Sequence, residues 1–210
     1  SLVDFKTPRE IWRYSKPDFA AMMATILVTL FAGVEPGVIA GVVMSLALYL
    51  WRSSRPHAAI VGRVPETEHF RNIKRHKVYT DPRILAIRID ESLTYLNARW
   101  LEEFILEQVA EQATVRHVIL MCSAVNAIDA SALESIEAIN HRLHDSEILL
   151  HLSEVKGPVM DRLERSHFLE ELSGKVFLSQ NAAFAKIGEL SDREDQSDDE
   201  VDIWKARGLI

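Results

Sequence analysis

The sequence predicts a short transmembrane helical hairpin followed by an α/β domain, a mixed sheet with helices packed on it. Three observations carry this. Phe19 to Trp51 is an apolar run of about 33 residues whose only charge is Glu35. That run is broken near its middle by Gly33, Glu35, Pro36 and Gly37. From Pro82 to about Leu190, strand-like and helix-like segments alternate, as they do when helices pack against a sheet.

The length of the apolar run decides its form. One bilayer crossing takes about 20 apolar residues, so this run is too long for one straight helix. A single helix would also set Glu35 and Pro36 near the bilayer centre. A charge is costly there, and an interior proline removes a backbone hydrogen bond. Gly33, Glu35, Pro36 and Gly37 therefore read as the hairpin turn. The legs Phe19–Ala32 and Gly37–Trp51 are each roughly 21 to 23 Å long at the helical rise, short of a hydrocarbon core of roughly 30 Å. Legs this short need other helices to shield their ends, and the small residues of "AAMMAT" and "AGVVMS" suit close helix packing.

Flanking charge orients the hairpin. Arg9, Arg13 and Lys16 precede the run, and Arg52, Arg55 and Arg63 follow it. By the positive-inside tendency both ends face the cytoplasm and Glu35 lies at the far tip. The weaker reading, a hairpin buried in a soluble core, is hard to reconcile with the lack of charge on every face. The chain opens on Ser1 rather than Met, and two short legs make a poor membrane protein by themselves, so further segments are expected before Ser1.

Residues 57–81 read as a basic connector that includes an extended piece, "HAAIVGRV". Its Arg and Lys residues are placed either to meet anionic headgroups or simply to solvate a linker. The domain then follows in order. "RILAIRID" is a strand, and "ARWLEEFILEQVAEQ" is a helix with Trp100, Leu101, Phe104, Ile105 and Val109 on one face. "VRHVILMC" is a central strand, and "SALESIEAINHRL" is a helix striped by Leu133, Ile136, Ile139 and Leu143. "EILLHLSE" is a strand, and "GPVMDRLERSHFLEELSG" is a helix with Pro158 near its start and Gly174 past its end. "KVFLSQ" and "NAAFAKIGEL" close the series as strand and helix.

Composition narrows the function classes. The formal net charge of -7 argues against a nucleic-acid partner, whose phosphates need a basic surplus, and leaves room for a local basic patch. The single cysteine, Cys122, permits no internal disulfide and reads as a buried thiol. Neither a P-loop, a dinucleotide fingerprint nor a GxSxG elbow occurs, so the chain reads as a non-enzyme without cofactors. His141 and His144 share a helix face, but without a third ligand they read as solvated surface rather than a metal site.

"SRPHAAIVGRVPETEHFRNIKRH", "ILAIRIDESLTYLNARWLEEFI" and "VNAIDASALESI" together resemble the C-terminal part of sulfate permease (SulP) family anion transporters. The alternating domain is similar to STAS, the domain shared by sulfate transporters and anti-sigma factor antagonists. The resemblance implies a membrane domain of fourteen segments in two inverted repeats, moving small anions such as sulfate, bicarbonate or dicarboxylates. Residues 1–56 would be its last two segments, 57–81 the cytoplasmic connector, 82–190 the STAS domain and 191–210 an acidic tail. The family's anion site would lie earlier in such a protein, so no substrate-binding residue is carried over. The expected location is the inner (plasma) membrane, multi-pass, with STAS in the cytoplasm. Expected partners are the membrane, the remainder of the membrane domain, a second copy of the chain and a cytosolic protein docked on STAS.

One constellation remains, "NAIDASAL". Asp129 can cap the helix that follows, and Ser131 then lies at a positive helix end where a phosphate or bound anion is favoured. In anti-sigma antagonists the serine two places after the aspartate accepts phosphate, and Ser131 occupies that position. Ala132 departs from the glycine usual there. Two functional readings follow. The first is the C-terminal portion of a secondary anion transporter whose STAS domain regulates or assembles the membrane part. The second is a membrane-tethered signalling module switched by phosphorylation of Ser131.

Overall fold

A computed structural model describes residues 6–189. The acidic tail expected over 191–210, with Trp204, Leu209 and Ile210, lies outside the described residues. The chain divides into two compact units, Ser1–Arg55 and Pro56–Ile210.

The first unit holds α1 (Lys6–Tyr14), α2 (Lys16–Ala32) and α3 (Val34–Ser53). Ser15 separates α1 from α2 and caps the latter, its hydroxyl accepting from the Asp18 N–H at 3.4 Å, with Pro17 in the first turn. The turn between α2 and α3 is narrower than the four residues expected. Gly33 alone joins the helices, at φ 100° and ψ 174°, a backbone that side chains disfavour and glycine tolerates. Glu35, Pro36 and Gly37 instead form the first turn of α3. Proline fits there because the N–H it lacks would have no partner within the helix, and Glu35 faces the positive helix end. The legs are correspondingly longer than expected, at 17 and 20 residues, or roughly 26 and 30 Å at the helical rise.

The second unit is built on a six-stranded sheet ordered β2-β1-β3-β4-β5-β6. Its strands are β1 (Ala58–Arg63), β2 (Phe70–Asn72), β3 (Ile84–Ile89), β4 (His117–Met121), β5 (Leu149–Ser153) and β6 (Val176–Phe177). β1 pairs antiparallel with both β2 and β3, and the steps from β3 to β6 are parallel. The sheet is therefore mixed. The segment expected as a connector contributes β1 and β2 to it rather than running outside. Parallel strands need crossovers, supplied by α4 (Ala98–Ala110), α5 (Ala130–Asp145), α6 (Gly157–Leu163) and α7 (Phe168–Glu171).

Two apolar cores lie on opposite faces of the sheet. Leu85, Ile87, Ile89, Val118 and Leu120 pack with Leu101 and Ile105 of α4, Ile136, Ile139 and Leu143 of α5, and Phe168 of α7. Ala59, Val61, Phe70, Ala86 and Ile119 pack with Ala183 and Ile187 of a last helical run, α8 (residues 180–189). β3 is buried along nearly all its length, as befits a strand covered on both faces. The single helix expected over Gly157–Gly174 is broken into α6 and α7. The Ser166 hydroxyl donates to Leu163 O at 2.7 Å and accepts from the Phe168 N–H at 3.3 Å, a local alternative to helical bonding.

Candidate functional site

The hairpin is held by close backbone approach and one polar clamp. A side chain at Gly37 would collide with Thr29, and one at Gly41 would sit 2.8 Å from Thr25 Oγ1. Glycines facing threonines let the helices approach closely, which suits packing in lipid. Thr25 donates its hydroxyl to Ala21 O at 2.9 Å, so it leaves no polar group exposed. At the other end, the Arg52 guanidinium donates to Asp18 Oδ1 at 2.8 Å and to Ser15 Oγ at 3.2 Å. These residues are 34 and 37 positions apart. The sequence lists Arg52 only as flanking charge and gives no sign of the pairing.

Almost nothing in the hairpin is buried; only Ala21 of α2 and Gly37 of α3 are. Leu30 is 74% exposed, Phe31 87% and Trp51 65%. α3 is long and apolar enough to cross a membrane, and only 6% of its apolar window is buried. Among the described residues α3 alone meets that test; a soluble core helix would be mostly covered. α1 carries Arg9, Arg13, Trp12 and Tyr14, with Trp12 edge-on to Phe19 at 4.9 Å and Lys16 Nζ 6.0 Å from the Trp12 ring. A short basic, aromatic helix beside apolar legs suits a membrane–water interface.

The start of α5 is a second, independent place. Asp129 is its N-cap, Oδ1 accepting from the Ala132 N–H at 2.9 Å. Oδ2 accepts from the Tyr95 N–H at 2.9 Å, so one carboxylate joins the loop after β3 to α5. Backbone bonds reinforce this junction, from Leu93 N–H to Ala127 O at 3.0 Å and from Asp129 N–H to Leu93 O at 3.1 Å. Ser131 is exposed in the first turn, while Ala132 is buried in the core. Two cations approach the same loop. Lys156 Nζ donates to Asn126 Oδ1 at 2.6 Å, and Arg162 Nη1 donates to Ile128 O at 3.2 Å. Asp129 and Ser131 thus share a helix start, but the carboxylate serves the backbone. A phosphate on Ser131 would meet the favourable helix end and also the Asp129 charge.

Other reactive groups are accounted for. Cys122 is buried, and burial, followed by the Glu154 charge, pushes its thiol up to about 12, leaving no thiolate to react. His141 pairs with Glu171 at 3.7 Å, and among the described residues no three ligands gather for a metal. The sequence reading missed a buried pair, His117 Nδ1 and His151 Nε2 at 3.2 Å. His151 Nδ1 accepts from the Lys175 N–H at 3.0 Å, so its proton sits on Nε2 and is donated to His117. Burial first, then the His117 and Lys175 charges, lowers His151 to about 4. His151 is flanked by Leu150 and Leu152, and His117 lies between Arg116 and Val118, which is a weak signal.

Comparison with known proteins agrees with this architecture. The family model described as the STAS domain matches residues 75–183. The chain belongs to the STAS domain family. Similarity extends beyond the STAS match. "Sulfate transporter 4.1, chloroplastic" of Arabidopsis thaliana is 35% identical over 83% of this chain and 27% of its own length. "Sulfate transporter 1.1" of the same plant is 32% identical over 88% and 30%. "Probable sulfate transporter 4.2", also from Arabidopsis thaliana, is 30% identical over 99% and 33%, so its match includes the hairpin. The chain thus spans about a third of the length of the curated relatives it matches. The resemblance to SulP-type sulfate transporters read from the sequence is borne out by these relatives. Among solved structures, the murine Solute Carrier 26 family member A9 anion transporter in the inward-facing state matches with a TM-score of 0.75. That match has 16% identity and covers 86% of this chain and 30% of the other. At that identity it shows the shared fold, with a STAS domain following apolar helices.

Proposed function

We propose that this chain is the C-terminal portion of a secondary active inorganic anion transporter of the sulfate type. Its hairpin would form the last two membrane segments, and its STAS domain would regulate or assemble the membrane part from the cytoplasmic side. The observation that carries this reading is the extent of similarity. The STAS match covers residues 75–183, yet a sulfate transporter aligns over 99% of the chain. A shared STAS domain alone would stop short of the hairpin. The bare apolar surface of α2 and α3 supports the same reading, since it needs lipid or neighbouring helices to cover it.

On this reading the anion site belongs to the remainder of the membrane domain, and the 210-residue chain does not transport by itself. The domain boundaries are those of residues 1–56, 57–81 and 82–190, with the connector contributing strands to the STAS sheet. A second copy of the chain and a cytosolic protein are the partners expected of STAS. Sulfate uptake into proteoliposomes tests the reading, using the complete protein and the same protein lacking residues 57–190. The complete protein should take up sulfate, and the deletion should lower uptake by at least severalfold at equal reconstitution. Absence of uptake of sulfate and of other small anions by the complete protein would overturn it.

The switch reading is kept for Ser131 because Lys156 and Arg162 approach the loop that leads into α5. It predicts that Ser131→Asp changes uptake by the complete protein. Under the transporter reading Ser131→Ala leaves uptake nearly unchanged, and loss of most uptake with normal expression would favour the switch.

A further inference from the structure

We propose that the turn following β2 is a docking surface for anionic phospholipid headgroups, an inference that rests on the reading of α2 and α3 as membrane segments. Arg71, Lys74, Arg75 and Lys77 are all exposed, and no acidic residue occurs from His69 to Thr80. The domain's arginine ion pairs are made elsewhere, as in Arg83–Asp81, Arg88–Asp90 and Arg142–Glu102. Among the described residues, these four cations take part in none of them. The turn holds its shape locally, Asn72 Oδ1 accepting from the Lys74 N–H at 2.7 Å and Asn72 O from the Arg75 N–H at 3.1 Å. One side chain that would ordinarily be hidden accompanies the charge. Ile73 is 37% exposed, an apolar group of the kind that settles among headgroups.

Pairing puts the start of this turn beside β1, the first strand after α3. β2 returns antiparallel along β1, pairing Asn72 with Val61, and the Ile73 N–H donates to Ile60 O at 3.1 Å. β1 begins at Ala58, five positions after α3 ends at Ser53, which an extended chain covers in about 18 Å at most. The acidic residues of the β1–β2 connection, Glu66 and Glu68, sit at the opposite end of the pair. The acids of this segment thus lie in the β1–β2 connection, and the four cations lie in β2 and the turn after it. Four or more cations next to a membrane segment are the pattern that anionic lipid attracts.

The test uses the whole chain reconstituted into vesicles of phosphatidylcholine alone and of phosphatidylcholine with about 30 mol% phosphatidylserine. Acetylation of Lys74 and Lys77 is followed by mass spectrometry, with exposed Lys175 at the far edge of the sheet as the internal reference. Phosphatidylserine should slow labelling of Lys74 and Lys77 about three- to tenfold, and about 0.5 M salt should reverse this. Lys175 should not respond, and the double substitution Arg71→Glu with Arg75→Glu should remove most of the protection. Equal labelling in the two vesicles would overturn the proposal. So would protection that is already present without phosphatidylserine and vanishes on truncation after Leu190, which would make the acidic residues 191–210 the occupant. Flotation with pure phosphatidylcholine vesicles reports on the hairpin separately. Loss of flotation sinks the membrane reading and this proposal with it, whereas flotation with unchanged labelling sinks this proposal alone.

Discussion

Asp129 uses each carboxylate oxygen for a different backbone N–H, one in α5 and one in the loop after β3. Removing it leaves both donors short of a partner, so Asp129→Ala should destabilise the STAS domain by about 1–2 kcal/mol, measured by urea unfolding of the chain in detergent. Ser131→Ala should change the same midpoint by less than about 0.5 kcal/mol, because an exposed hydroxyl is all that is lost. Acid acts through His151. Its folded value of about 4 lies below the unfolded value of 6.5, so the unfolded chain binds the proton first as pH falls. The stability it contributes is fully present above about pH 6.5 and is lost as pH drops towards 4, by about 3 kcal/mol at most. Asp90 adds a loss at lower pH. Burial opposes its ionisation, but hydrogen bonds from Arg88 and His57 outweigh that and hold it below the usual carboxylate range. Unfolding curves at several pH values should therefore fall between pH 6.5 and 4, and His151→Gln should flatten that interval. An unchanged slope in the variant would refute the assignment. Of these features only the Asp129 cap was legible from sequence, because a cap is a local pattern. The histidine pair joins β4 to β5 across 34 residues, and nothing local announces it.

At the scale of elements, the helix stripes were readable because periodicity is local. Leu101, Ile105, Ile136, Ile139 and Leu143 are buried as their spacing requires. Three features were not readable. β2 has only three residues, too few to show alternation. The α6–α7 break falls at Ser166, whose hydroxyl bonds to the backbone on either side, and one serine is no clear signal in sequence. The hairpin legs extend into polar sequence, where Ser15 caps α2 and Asp18 pairs with Arg52, far away in the chain. The turn narrowed for a related reason, since Pro36 and Gly37 can serve as helix residues once Gly33 takes the unusual backbone. Gly37 is the more demanding of the two glycines in α3, being pressed against Thr29. Gly37→Leu should force the legs apart, at a cost of about 1–3 kcal/mol if overpacking here resembles that in other cores. Cysteine cross-linking between Thr25→Cys and Gly41→Cys checks this, and its yield should fall severalfold when Gly37→Leu is added. Undiminished cross-linking would mean that the close approach is not what holds the hairpin.

At the scale of the whole molecule, two units of opposite character sit in one chain. The STAS domain buries two apolar cores, while the hairpin exposes most of its apolar surface. A nonpolar surrounding makes the second arrangement favourable, which supports the functional proposal that the extent of similarity carries. The apolar run made the hairpin legible at once, and the strand–helix alternation made the α/β domain legible. An anion site was not, because the chain corresponds to about a third of its curated relatives and no substrate residue could be assigned. The central claim is that α2 and α3 cross the bilayer as a pair, with Gly33 at the far side and STAS in the cytoplasm. The most direct measurement is thiol labelling of the complete protein in intact cells, with Glu35→Cys and Ser54→Cys made separately in a background whose only other cysteine in this chain is the buried Cys122. A membrane-impermeant maleimide should label Glu35→Cys from outside and Ser54→Cys only after the cells are opened. Labelling of both positions from the same side would contradict the account.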